Sequence, residues 1–174
     1  MLDKADMEFY RKATLNVLEQ INSLGMNPED TEKAKNLASL FRSAFKLNVV
    51  KKRTFHEPEI AAAKSIYDSL GFCRISSVVF MTAMGLADWD LMFIGEGDWY
   101  GKKPHHYLRY RPTGKILDLT YDQFAHKNLK IPYENGHIAN DQIYTTIMSD
   151  GKDFAKVVGL DIIELLKQNS MRGK

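Results

Sequence analysis

A single cysteine, Cys73, stands in "LGFCRISSVVFMTAMG", Leu70 to Gly85, at the head of an apolar run of helical character. In the opening turn of a helix, backbone N–H groups lack an intrahelical partner, and they and the helix dipole favour a thiolate over a thiol. The same groups would hold the negative oxygen of a tetrahedral intermediate. A nucleophilic thiol also needs a base. Two adjacent histidines, His105 and His106, lie in "PHHYLRY", and Asp118 lies in "KILDLT" between Leu117 and Leu119, where an unpaired charge would be costly. Cysteine, histidine and aspartate supply a nucleophile, its proton acceptor and a carboxylate that fixes the imidazole tautomer.

These residues must be positioned by a helix and a hairpin. The helix starts at or just after Cys73 and runs to Met84, with Gly85 as its stop; Ser76, Ser77 and Thr82 are modest helix formers, so burial has to hold it. "PHHYLRY" and "KILDLTYDQF" read as two strands joined by "RPTG", with proline early and glycine last. A four-residue loop pairs Tyr110 with Lys115 and sets Tyr107 opposite Asp118. Alternation then places His105, Tyr107 and Asp118 on one face. A three-residue bulged turn would shift the register by one and bring His106 there instead. On the four-residue reading His106 faces away, in a surface or supporting position.

Other elements follow from hydrophobic spacing. Phe9, Ala13, Val17, Leu18, Ile21 and Leu24 make one face of a helix over 3–24 that Gly25 closes. A second helix begins near "NPED" and buries Leu37, Leu40, Phe41, Ala44 and Phe45. A third is expected from about Pro58 to Leu70. "WDLMFIGE" is a strand by composition, "QIYTTIM" (Gln142 to Met148) a further plausible strand, and Asp153 to Gln168 a closing helix with Phe154, Val157, Val158, Ile162, Leu165 and Leu166 inward. Helices, then an antiparallel sheet, then a helix make an α+β domain. The 174 residues suit one domain, with a helical prefix over 1–50 and a core over 55–170.

"GFC" before a helix, "HHYLRY", and "ILDLTYDQF" followed by "IPYENG" together resemble the transglutaminase-like branch of the papain-like cysteine enzymes. The resemblance covers roughly residues 65–135. It implies a nucleophile helix packed on an antiparallel sheet and a catalytic Cys-His-Asp triad in that chain order. The family's histidine, followed two places on by an aromatic, matches His105 and Tyr107; its nucleophile corresponds to Cys73 and its carboxylate to Asp118. Arg74 stands where many members have tryptophan or another bulky residue.

The expected function is therefore cysteine-dependent acyl transfer on a protein or peptide-like amide, to water (amide hydrolase or deamidase) or to an amine (transglutaminase-type). No metal or organic cofactor is required. The competing expectation is a non-catalytic interaction module on the same fold, using the helical prefix as its surface. A net charge of +2 gives no strong argument for nucleic-acid or membrane binding, and "KLNVVKKR", Lys46 to Arg53, reads as a solvated connector rather than a phosphate site. One cysteine excludes an internal disulfide and suits a reducing cytoplasm. "MLDKADMEFYRK" holds no signal-peptide core and no apolar stretch reaches membrane-spanning length, so a cytoplasmic protein with no membrane partner is expected. His56, His126 and His137 lack ligand spacing for a metal. "GEGDWYGKKP", Gly95 to Pro104, would suit a substrate lid, and Gln123 is expected to pack beside Phe124.

Overall fold

A computed structural model describes residues 4–47, 50, 71–98, 104–127 and 129–172. The expected helix from Pro58 to Leu70, most of the basic connector and the middle of the Gly95–Pro104 loop lie outside the described residues.

Helix α1 (Lys4–Ser23) and helix α2 (Pro28–Phe45) form the helical prefix. Gly25 between them takes φ +82°, a left-handed conformation that costs glycine little. Asn27 caps α2 by accepting from the Asp30 N–H at 2.8 Å, and Pro28 occupies the first turn. The buried face of α1 runs through Tyr10, Ala13, Val17, Ile21 and Leu24, whereas Phe9, expected inside, is exposed. Likewise Leu40 on α2 is exposed, and Arg42 is fully buried. The helical stripe is thus rotated toward one charged residue, whose partners are described below.

Helix α3 (Cys73–Met84) is buried from Ile75 to Met84, as befits a central helix whose serines and threonine have little propensity of their own. Strand β1 (Trp89–Ile94) pairs antiparallel with β2 (His105–Tyr110), which pairs antiparallel with β3 (Lys115–Leu117). A two-residue strand β4 (His137–Ile138) pairs antiparallel with β1 and completes the order β3-β2-β1-β4. The domain is α+β with a four-stranded antiparallel sheet. The β2–β3 register joins Tyr110 to Lys115 and Leu108 to Leu117, as the four-residue loop requires, and Gly114 takes φ +70°.

The sheet has two apolar faces. Trp89, Leu91, Leu108 and Leu117 join α2, α3 and the C-terminal helices in the main core. Met92, Ile94, Tyr107, Phe124 and Ile131 form a smaller core under the connection from Asp118 to His137. The main core stacks aromatics: Phe45 lies 4.5 Å from Phe72, and Phe154 lies 5.4 Å from Phe72 and 5.1 Å from Phe41, centroid to centroid. Phe72 directly precedes Cys73, so this cluster anchors the start of α3. Each fully buried ring contributes roughly 1.5–3 kcal/mol relative to exposure.

The C-terminal third departs from expectation in two places. Gln142 to Met148, expected as a strand, begins as helix α4 (Gln142–Thr146) and runs on into a π-type turn over Ile147–Gly151. The Thr145 and Thr146 hydroxyls donate to the Gln142 carbonyl at 3.0 and 2.7 Å, so helical backbone geometry satisfies the residues whose β-branching suggested a strand. The closing helix is two helices, α5 (Lys152–Val157) and α6 (Ile162–Arg172), separated at Gly159 with φ +81°. Among the described residues no helix is long and apolar enough to cross a membrane.

The prefix is fastened to the rest by a buried ion pair. Arg42 donates through Nη1 and Nη2 to the two carboxylate oxygens of Asp122 at 2.8 and 3.1 Å, through Nη1 to the Leu119 carbonyl at 2.9 Å, and through Nε to Thr14 Oγ1 at 3.0 Å. Its guanidinium lies 4.5 Å from the Tyr10 ring centroid. Breaking such a pair from one side leaves a buried charge without compensation. Arg42→Met should therefore destabilise the protein by about 3–5 kcal/mol. The double variant Arg42→Met/Asp122→Leu should recover part of that loss, a non-additivity measurable by urea denaturation.

Candidate active site

The site is assembled at the start of two elements. Gly71 takes φ +84°, and the backbone then enters α3 with Phe72 at its N-cap and Cys73 as the first helical residue. Phe72 provides no side-chain cap, and the Ser76 N–H is already bonded to the Phe72 carbonyl at 2.8 Å. The opening N–H groups of Cys73, Arg74 and Ile75 therefore lack helical carbonyl partners, as at any helix start. Cys73 is half-buried and Arg74 exposed.

His105 is the first residue of β2 and is completely buried. Its Nε2 lies 2.6 Å from Asp118 Oδ2, a short charge-assisted contact. Asp118, also completely buried, follows the last residue of β3. The carboxylate is saturated: Oδ2 also accepts from the Tyr133 hydroxyl at 2.9 Å, and Oδ1 accepts from the Thr120 N–H at 3.0 Å and the Thr120 hydroxyl at 3.4 Å. The Asp118 N–H donates to Gln20 Oε1 of α1 at 2.8 Å. The histidine and aspartate singled out from the hairpin are thus in direct contact.

Gln123, expected beside Phe124 as packing, has a polar role. Its amide nitrogen lies 2.9 Å from His105 Nδ1 and 3.2 Å from Thr120 Oγ1. The Phe124 ring packs edge-on against His105 at 5.1 Å.

His106, expected in a surface or supporting position, is not at the surface. Alternation does turn it away from Asp118, but it is only 6% exposed, 4.8 Å from the Phe93 ring and 2.9 Å from Gln142 Oε1 through Nε2. Helix α3 lies on the face of the sheet that holds His106 and Leu108, and its first residue meets the first residues of β2. Both imidazoles act on the Cys73 thiol and favour its ionised form. The opposed faces separate the two rings with respect to Asp118 but not with respect to the thiol.

The electrostatics follow from this arrangement. Burial works against a Cys73 thiolate, but hydrogen bonds and charge from His105 and His106 outweigh it and hold the thiol well below its ordinary range. Burial likewise works against a charged His105, yet the Asp118 carboxylate and the thiol push its pKa up to about 10. Burial and the Asp118 charge push the Tyr133 phenol upward, so it stays a protonated donor. Together these directions favour a thiolate–imidazolium pair. Among the described residues no group of three His, Cys, Asp or Glu side chains could hold a metal ion.

Comparison with models of known families, with curated proteins and with solved structures finds no match.

Several supporting residues have weak sequence signals. The Asp-Leu-Thr of "ILDLTYDQF" is an aspartate two residues before the N–H it accepts, an Asx turn. Tyr133, Gln142 and Gln20 reach the site from distant segments with no spacing to reveal them. Replacing Asp118 with asparagine removes the charge that sustains the imidazolium. In Asp118→Asn the Cys73 titration should move up toward the free thiol value of about 8.5. Thiolate absorbance at 240 nm, followed from pH 4 to 10, measures the change: the variant loses thiolate at acidic and neutral pH and regains it only in alkali.

Proposed function

We propose that this chain is a cysteine-dependent acyl-transfer enzyme, with a papain-like core of the transglutaminase-like type, acting on an amide of a protein or peptide. The observation that carries the proposal is the buried His105–Asp118 contact beside a thiol at a helix start. His105 Nε2 is committed to Asp118 at 2.6 Å, so proton exchange with the thiol and the leaving group falls to Nδ1, which the Gln123 amide nitrogen also approaches at 2.9 Å. A helix led by Cys73 on an antiparallel sheet, with histidine at the start of one strand and aspartate just past the end of its neighbour, also supports that core.

In the proposed cycle the Cys73 thiolate forms a bond to the amide carbonyl carbon. The oxyanion is met by N–H groups of the first turn of α3. The imidazolium at Nδ1 passes its proton to the nitrogen as the carbon–nitrogen bond breaks, and the amine or ammonia leaves. Water, or an acceptor amine, then loses a proton to Nδ1 while attacking the thioester, and the thiolate departs with its original charge. Asp118 holds the ring throughout, with its own charge stabilised by Tyr133 and Thr120.

p-Nitrophenyl acetate tests this chemistry without knowledge of the natural acyl group. The native protein should release a burst of one equivalent of nitrophenolate and carry one acetyl group on Cys73 by mass spectrometry. Cys73→Ser should lose the burst, and His105→Ala should slow acylation by about 10²–10⁴-fold. Addition of a primary amine to the acetylated protein then distinguishes transfer from hydrolysis by the product formed. A Cys73 acetylated no faster than free cysteine, in folded protein, would overturn the proposal.

A further inference from the structure

His105 Nδ1 has a close polar neighbour in Gln123. Gln123 is 4% exposed, and its amide nitrogen stands between two acceptor positions, Nδ1 of His105 at 2.9 Å and Oγ1 of Thr120 at 3.2 Å. The residue's own N–H bonds the Thr120 carbonyl at 3.0 Å, which fixes the short 3₁₀ segment carrying it. An amide nitrogen carries only hydrogens to offer. With both neighbours accepting, His105 Nδ1 is read as a bare lone pair and Nε2 as the protonated nitrogen bonded to Asp118. This is the tautomer that a general base needs. It is also the state opposed by the thiol, whose proton, once transferred, would sit on Nδ1 and face the Gln123 N–H directly.

We propose that Gln123 is a positioning residue that holds His105 Nδ1 as a proton acceptor and so restrains the thiolate–imidazolium pair. The inference rests on the acyl-transfer reading, because it assigns Gln123 a part in that proton exchange. Asp118 and Gln123 act on opposite nitrogens of one ring and in opposite directions. Asp118 favours the proton on His105; the amide donor disfavours it and leaves more of it on sulfur. During the cycle the same donor stabilises His105 after it has given its proton to the leaving nitrogen. The Thr120 hydroxyl couples the two, since it accepts from the amide and donates to Asp118 Oδ1.

The other titratable groups facing His105 are Cys73 at the start of α3, the neighbouring His106 across the thiol, Tyr107 at a ring distance of 6.3 Å on its own strand, and Tyr133 across the Asp118 carboxylate. Arg42 and Asp122 neutralise each other one step behind Leu119. None of these contacts Nδ1 in the way Gln123 does.

Gln123→Met keeps the length and apolar volume of the side chain while removing its donor. The test is the pH profile of Cys73 alkylation by iodoacetamide in the full chain, paired with the His105 imidazole ¹⁵N shifts over the same range. Loss of a hydrogen bond to the neutral ring should lower the Cys73 midpoint by about 0.7 unit, or about fivefold more thiolate on the acidic side. The His105 midpoint should move upward by a similar amount. A structural role alone would change the melting temperature without moving either midpoint. Unmoved midpoints, or a rise in the Cys73 midpoint because the amide instead accepts from the imidazolium, would overturn the proposal. If wild-type Cys73 shows an ordinary thiol titration, the acyl-transfer reading fails; the ¹⁵N titrations of His105 in the two proteins still decide the Gln123 assignment.

Discussion

A carboxylate with no access to water governs the arrangement of this domain. Asp118 is wholly buried, and an ionised carboxylate in that setting persists only if each of its lone pairs is answered. The answers come from separate parts of the chain: the His105 ring from β2, the Thr120 N–H and hydroxyl from the turn that follows, and the Tyr133 hydroxyl from the connection beyond. The backbone at Asp118 is held in turn by Gln20 of α1. Remove the charge, and these segments lose their reason to converge at one point. The polar centre and the apolar core are therefore two descriptions of one packing problem.

The helical prefix has its place within this arrangement. Arg42 bonds the Leu119 carbonyl and the Asp122 carboxylate, the residues on either side of Thr120 and Tyr121. Thr113 donates to the Leu24 carbonyl at 2.9 Å, and Lys115 donates to the Ser23 carbonyl, so the end of α1 and the residue after it also grip the β3 side of the β2–β3 turn. The prefix thereby fixes the hairpin and the turn that between them present His105, Asp118 and Gln123. A buried ion pair is a poor source of net stability compared with an apolar replacement, but its geometry is exacting. Here that geometry sets the position of the segment that follows Asp118.

What could be read in advance depended on whether local rules decided the outcome. The hairpin was legible from "RPTG", but a four-residue loop and a bulged three-residue turn both fit it. The preference for His105 over His106 rests on the aromatic two places after it, as the resemblance implies, and the observed register is that of the four-residue loop. The start of α3 was legible from Gly71 and the apolar run. The burial of Arg42 was not, because a charged residue on a stripe is ordinarily a sign of the solvent face, and its partners lie 80 residues away in sequence at Asp122. The helical state of Gln142–Thr146 was equally hidden, since its β-branched residues favour a strand until tertiary packing overrides them. Gly159 was in plain view as a helix stop, yet the continuous apolar spacing across it masked the break. The influence of both histidines on the thiol depends on where α3 starts relative to β2, a three-dimensional offset that alternation along one strand does not encode.

The convergence on Asp118 makes chemical reactivity a late product of folding. In the unfolded chain Cys73 is an ordinary thiol with a pKa of about 8.5, and neither histidine is near it. Its altered acidity exists only once the hairpin has closed, α3 has docked by way of Phe72, and the connection carrying Tyr133 has covered the face of the sheet that bears His105. A nascent or partly folded chain would therefore expose hydrophobic surface while its thiol still titrates in the ordinary range. The lowered pKa of Cys73 belongs to the native packing and to no part of the chain by itself.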